Sequence, residues 1–284
     1  MSIVVTGATG NLGRLVIEEL LLRRPATEVA AVVRDAARAA DLGARGVELR
    51  VADYNAPQTL RGAFRPGDVV LLISGSEIGR RVPQHTAVID AARAAGVARL
   101  VYTSMLGCAD ADFTLMREHH ATEQAVIASG LTFTLLRNAF YTEGYTAQIA
   151  QQTEHGVVGA AGEGRIGSAT RADLAAAAVA AVTQDGHENA TYELAGDSAW
   201  TFADYAAELS RQTGRTITYT DLSGDAYAQV LTGAGLPAEM VRLLVDVDVT
   251  FVARGLAEGG SGDLSRLIGR PSTPLASVMA DALA

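Results

Sequence analysis

Ile3-Val4-Val5-Thr6-Gly7-Ala8-Thr9-Gly10-Asn11-Leu12-Gly13 decides the fold. A short β-branched run ends at Thr6 and three glycines follow in the pattern G-x-x-G-x-x-G. Leu12–Leu22 then repeats its apolar residues at helical spacing, with Glu18 and Glu19 outward. Gly7 allows a tight turn out of the strand, Gly10 lets the main chain approach a pyrophosphate, and Gly13 lets helix and strand pack closely. The first N–H groups of the helix are free for an anion, and the helix dipole favours negative charge there. This order of strand, loop and helix predicts a dinucleotide site at Thr6, Gly7, Thr9, Gly10, Asn11, Leu12 and Gly13. A purely structural turn is the alternative.

Downstream, strand-like and helix-like runs alternate. Strands are expected at Glu28–Val33, Val47–Val51, Val69–Ser74, Leu100–Thr103 and Leu131–Arg137, and a further one at Tyr192–Ala195. Helical patterns at Ala36–Leu42, Val82–Ala95, Arg117–Ser129 and Arg171–Thr183 separate them, Gly96 and Gly130 closing two of these. Val69–Ser74 is apolar through Ile73, as in a strand buried on both faces. The pattern predicts βαβ units: an α/β, Rossmann-type, doubly wound parallel sheet. The rest is less regular, with helices expected at Tyr141–His155 and Phe202–Gln212, a strand at Thr216–Tyr219 and a loop at Gly255–Gly262. Residues 1–138 with 157–195 read as the dinucleotide-binding unit. Residues 139–156 with 196–284 read as a smaller α/β lobe over the sheet's C-terminal edge, where ligands of open α/β sheets bind.

Composition narrows the function. Of 284 residues, 49% are hydrophobic and 19% charged, enough to bury a full core. A net charge of −9 argues against nucleic acid as a partner. The single cysteine, Cys108, can form no intrachain disulfide, which fits a reducing compartment. No secretory leader and no membrane-length apolar run is evident, so a cytoplasmic protein is expected. All 23 cationic side chains are arginine; with no lysine, no mechanism that needs a lysine amine can operate.

The end of the second strand selects the cofactor. Val32-Val33-Arg34-Asp35 offers an arginine that can clamp a 2′-phosphate in two-pronged fashion, predicting NADP. The alternative is a solvated Arg34 with Asp35 reading an NAD ribose. Asp53 follows the third strand and can accept from an adenine amino group or cap a turn. Ser74, Gly75 and Ser76 end the fourth strand, where the nicotinamide side should run. Asn138, Phe140 and Tyr141 follow the sixth; they can bind a carbonyl and stack on a flat acceptor, or pack the lobe onto the sheet.

T-G-A-T-G-N-L-G, V-V-R and A-D-Y resemble the NmrA-like branch of the atypical short-chain dehydrogenase/reductases. The resemblance extends to Leu71-Leu72-Ile73-Ser74-Gly75-Ser76-Glu77, Pro83-Gln84-His85, Tyr102-Thr103-Ser104, Leu135-Leu136-Arg137-Asn138, Ser168-Ala169-Thr170-Arg171-Ala172-Asp173 and Tyr192–Trp200. Within that branch it is to the bacterial NAD(P)H:quinone oxidoreductases of the second type, and it is weakest over the last stretch of chain. It implies a flavin-free enzyme that binds NADPH, with Thr103 and Ser104 beside the cofactor, and passes hydride to a quinone. Related members reduce triphenylmethane dyes. Others bind dinucleotide without chemistry and act as redox sensors, so a non-catalytic NADP(H)-sensing regulator is the competing reading. The oligomeric state stays open, a homodimer included.

The typical family triad is a serine and then Tyr-x-x-x-Lys, in which tyrosine protonates a new alkoxide. Ser104 stands at the serine position, but Met116-Arg117-Glu118-His119-His120-Ala121-Thr122-Glu123 holds no tyrosine. A quinone needs no such triad, because hydride addition gives a stabilised phenolate that water can protonate. His119, with Glu123 four residues on, is the candidate proton donor; a plain helix histidine is the alternative. His119-His120 is a poor metal pair, since neighbours on a helix point apart, and no metal is expected. Arg171, Asp173 and Trp200 read as structural. Cys108, near the expected nicotinamide, has no basic neighbour to make it reactive.

Overall fold

The computed structural model describes residues 1–284. Seven parallel strands form the main sheet: β1 (Ile3–Val5), β2 (Val29–Val33), β3 (Glu48–Val51), β4 (Val69–Leu72), β5 (Arg99–Met105), β6 (Phe133–Asn138) and, in this sheet, β8 (Ala190–Leu194). Their order is β3-β2-β1-β4-β5-β6-β8, so the winding reverses between β1 and β4. Parallel pairing there sets Ile3 beside both Val29 and Val69. In open α/β sheets such a switch point opens a crevice at the strands' C-terminal ends.

Period-two alternation divides the strands between two cores. Val5, Ala31 and Leu71 face the helices Asn11–Leu21 and Arg171–Thr183, burying Val16, Ile17, Leu20 and a run of alanines. Val4, Ala30, Val70 and Leu100 face the helices Arg81–Ala95 and Thr114–Ala128. Alanines 175, 177 and 178 in Arg171–Thr183 are all but fully buried, and their small side chains let that helix lie close to Asn11–Leu21.

A third core joins Met105, Phe113, Trp200, Phe202, Tyr205 and Phe251 over the sheet's C-terminal edge. Here the sequence reading needs correction. Val157–Gly159, read with the large unit, forms β7 and pairs with β9 (Tyr219–Asp221) in a separate two-stranded sheet. Tyr141–His155 is not one helix but two, Thr142–Thr146 and Ile149–His155. The helix read from Ala36 to Leu42 is a 3-10 turn, Ala36–Ala39, followed by a short α-turn, Ala40–Ala44. No helix is long and apolar enough to cross a membrane.

Asp173 ties the C-terminal segment to the sheet domain. Its carboxylate is fully buried and accepts from Arg270 Nη2 at 2.5 Å and from the Thr273 N–H at 2.7 Å. Trp200 is structural as read, buried with its indole N–H donating to Ser168 Oγ at 3.0 Å. Asp173→Ala leaves Thr273 N–H and Arg270 without this partner and is expected to lower unfolding stability by about 2 kcal/mol, read from urea denaturation.

Candidate active site

A cleft of about 420 Å³ lies over the switch point. Its floor is the glycine loop. Gly7 has φ of +60°, and its carbonyl accepts from Gly10 N–H at 2.9 Å to close the turn. A Cβ on Gly13 would stand 2.3 Å from the Gly7 carbonyl oxygen and 2.9 Å from Ala8 Cα, so helix and loop meet there without room for a side chain. The Asn11–Leu21 helix has Gly10 at its N-cap, no side-chain cap and no acid in its first turn. Its first N–H groups therefore face the cleft as a ready site for an anion.

One end of the cleft carries Arg34 and Arg38, both exposed and neither in an ion pair. Asp35 does not compete: it caps the following 3-10 turn, its Oδ1 accepting from Ala37 N–H at 2.9 Å. Two free guanidinium groups suit a phosphate monoester, which each can grip in two-pronged fashion. Asp53 also lines the cleft, and its Oδ1 already accepts from Asn55 N–H at 2.9 Å, so it caps its turn while keeping the other oxygen. The opposite end is lined by Ile73, Ser74, Gly75, Ser76, Glu77, Gln84, Tyr141 and Arg171.

Several expected residues stand behind the cleft rather than in it. Thr6 is fully buried; its hydroxyl donates to Leu71 O at 3.1 Å and accepts from Ile73 N–H at 3.1 Å and from the Tyr54 phenol. It locks β1 to β4 and shapes the loop from below. Thr103 is 3% exposed and its hydroxyl accepts from Ser74 N–H at 2.9 Å. Ser104 is buried against Cys108. In this arrangement the three side chains support the segments that line the cleft.

His119 is displaced further. It is 5% exposed, shares a 2.9 Å hydrogen bond through Nδ1 with the Tyr102 hydroxyl, and does not line the cleft. Burial, with the charge of Arg81, pushes its imidazole down to about 3, so it is neutral and carries no readily donated proton. Glu123 does not hold it: its two oxygens accept from Arg137 at 2.9 and 2.8 Å, and Cys108 donates to it at 3.3 Å. Asn138 is 6% exposed at the end of β6, and its Oδ1 is buried without a partner. Phe140 packs edge-on against Phe251 at 5.7 Å, which fits the packing alternative for this ring. Tyr141 faces the cleft, with the Arg171 guanidinium 4.5 Å from its ring centre. Arg171, read as structural, is thus part of the cleft wall.

Arg38, Tyr54, Asn55, Gln84 and Arg171 were not singled out from sequence as cleft residues. Arg38 had a signal, standing four residues after Arg34. The others come from loops and helix starts that only the fold brings together. Cys108, His120 and Glu123 offer ligand atoms within 4.8 Å of one another, but Glu123 is committed to Arg137.

The NAD(P)H-binding family profile matches residues 7–185. The chain belongs to the NAD(P)H-binding family. It is 48% identical over 275 residues to quinone oxidoreductase 2 of Escherichia coli (strain K12), covering 96% of each chain. It is similar to the solved NADPH-dependent quinone oxidoreductase of Escherichia coli complexed with NADPH, with a TM-score of 0.96 and 45% identity, covering 99% of this chain and 100% of that one. It is also similar to the Citrobacter triphenylmethane reductase complexed with NADP(H), with a TM-score of 0.94 and 37% identity over 99% of this chain and 100% of that one. The Rossmann-type doubly wound fold of this family member is that of both structures.

Burial, with the nearby Glu123 charge, pushes the Cys108 thiol up to about 12. Native protein at pH 8 is therefore expected to resist a thiol-specific disulfide reagent, whereas denatured protein reacts at once; fast labelling of native protein would contradict the burial.

Proposed function

We propose that this chain is a flavin-free NADPH-dependent reductase that delivers hydride to a small quinone, giving the hydroquinone in one two-electron step. The carrying observation is one cleft with an unpaired arginine pair at one end and Ser74–Ser76 with Tyr141 at the other, in a chain matched along nearly its full length by a quinone oxidoreductase.

The residues present fit the cofactor. Arg34 and Arg38 would hold the 2′-phosphate, Asp53 the adenine amino group, and the open start of the Asn11–Leu21 helix the pyrophosphate. Ser74, Gly75 and Ser76 would line the nicotinamide half, with Asn138 and Tyr141 on the acceptor side. When bound, NADPH supplies the hydride and becomes NADP⁺. The chain's own work is to place a flat acceptor in line and exclude competing orientations. One proton completes the hydroquinone, and water can provide it, since the phenolate is far less basic than an alkoxide. Asn138, buried beside the Tyr141 phenol with its Oδ1 unpartnered, would act from behind the cleft by orienting that ring. Tyr141 offers a ring face for stacking, and dye-like acceptors of similar flatness meet the same demands.

The test is oxidation of NADPH and NADH by purified protein with and without menadione, for wild type and Arg34→Glu. Quinone-dependent turnover is expected, faster with NADPH. The variant is expected to raise KM for NADPH at least about tenfold while leaving NADH little changed, from the loss of charge-assisted bonds. Turnover with an unchanged preference would remove Arg34 from phosphate recognition. Tight NADPH binding without turnover on any quinone would favour the dinucleotide-sensing alternative.

A further inference from the structure

Arg81, Gln84 and His85 form one face of the Arg81–Ala95 helix at spacing i, i+3, i+4 and are 7%, 5% and 0% exposed. A helix lying on a sheet ordinarily buries apolar residues there. These three polar side chains instead reach the segments that line the cleft. His85 Nε2 accepts from Gly75 N–H at 3.0 Å. Arg81 Nε donates to the Gly75 carbonyl at 2.7 Å and to Ser74 Oγ at 3.2 Å. Gln84 Nε2 donates to Asn55 Oδ1 at 3.0 Å, and its Oε1 lies 3.0 Å from where a Cβ of Gly75 would stand. Both main-chain polar groups of Gly75, and the loop carrying Asn55, are thus held from one helix face.

The clasp is braced from behind. Arg81 Nη1 donates to Glu118 Oε2 at 3.0 Å, and His85 Nδ1 meets Thr122 Oγ1 at 3.1 Å. Because Gly75 N–H must donate, His85 Nε2 is bare and the proton sits on Nδ1, toward Thr122, whose hydroxyl donates to Glu118 O at 2.9 Å. Burial and the charge of Arg81 keep this imidazole neutral, pushing it down to about 3.

We infer that Arg81, Gln84 and His85 are positioning residues: they hold Ser74-Gly75-Ser76 and Asn55 ready to receive the nicotinamide half of the dinucleotide, a role that rests on reading the cleft as the NADPH site. A glycine between two serines has many accessible conformations when free. Fixing both of its peptide groups before the ligand arrives removes that ordering cost from binding and sets the cleft wall against which the ring must lie.

The experiment compares full-length wild type, His85→Leu, His85→Gln and Arg81→Gln. NADPH affinity is measured by calorimetry without acceptor, Gly75 amide exchange by deuterium labelling, and kcat and KM with menadione. His85→Leu and Arg81→Gln are each expected to weaken NADPH binding about tenfold, since each removes the side-chain partner of one Gly75 main-chain group. Both should speed exchange at Gly75 and leave the menadione KM unchanged. His85→Gln, which keeps an acceptor, should recover most of the affinity. If His85→Leu fails to fold, the Arg81→Gln result decides. Unchanged NADPH affinity and Gly75 exchange in these variants would overturn the inference, as would a loss that follows thermal stability alone and is not rescued by glutamine. A wild-type protein that binds no NADPH would instead defeat the reading of the cleft itself.

Discussion

The close approach of Gly13 to the Gly7 carbonyl is the constraint on which the site depends. With 2.3 Å between that oxygen and the place of a Cβ, no other residue lets the Asn11–Leu21 helix start where it does. That start puts uncapped N–H groups at the mouth of the switch point between β1 and β4. The same placement lets Val16, Ile17 and Leu20 pack against Val5, Ala31 and the alanine-rich Arg171–Thr183 helix. The packing and the open helix start are therefore two results of one steric fact. The buried Thr6 hydroxyl, shared among β4, Ile73 and Tyr54, keeps the loop from relaxing away from it.

Charge is distributed to match. The chain is acidic overall, at −9, yet the cleft presents unpaired Arg34 and Arg38 at one end. Other arginines are spent on structure: Arg50 with Asp68, Arg137 with Glu123, Arg270 with Asp173. The interior histidines near the site are neutral, and the only thiol is held protonated. What remains is a site rich in positioning groups and poor in acid–base groups. Such a site suits an acceptor whose reduced form is already a stable anion, and suits poorly a simple ketone, whose alkoxide must be protonated in step.

Much of this was legible in the sequence where periodicity and steric demand coincide. β2 and β4 lie within a residue or two of the runs that marked them, because strands buried on both faces leave near-continuous apolar stretches. The glycine loop was legible because each glycine answers a separate backbone need. Legibility failed where a role depends on partners distant in sequence. Thr6, Thr103 and Ser104 sit in the right motifs but turn inward, which only the sheet register determines. His119 and Glu123 share a helix face, yet Arg137 on β6 outbids the imidazole for the carboxylate because a guanidinium forms two charged hydrogen bonds where a neutral ring forms one. The short β7 and β9 strands pair across a long stretch of chain, and neither is long enough to show a period.

The most direct measurement is a single turnover: protein preloaded with one equivalent of NADPH is mixed with excess quinone, and reduced-nicotinamide absorbance and hydroquinone are followed together. Direct two-electron transfer predicts one hydroquinone formed per NADPH lost, in one phase, with no semiquinone signal and no added flavin. A complex that keeps its NADPH reduced in the presence of quinone, or that passes electrons only after flavin is added, would contradict the account.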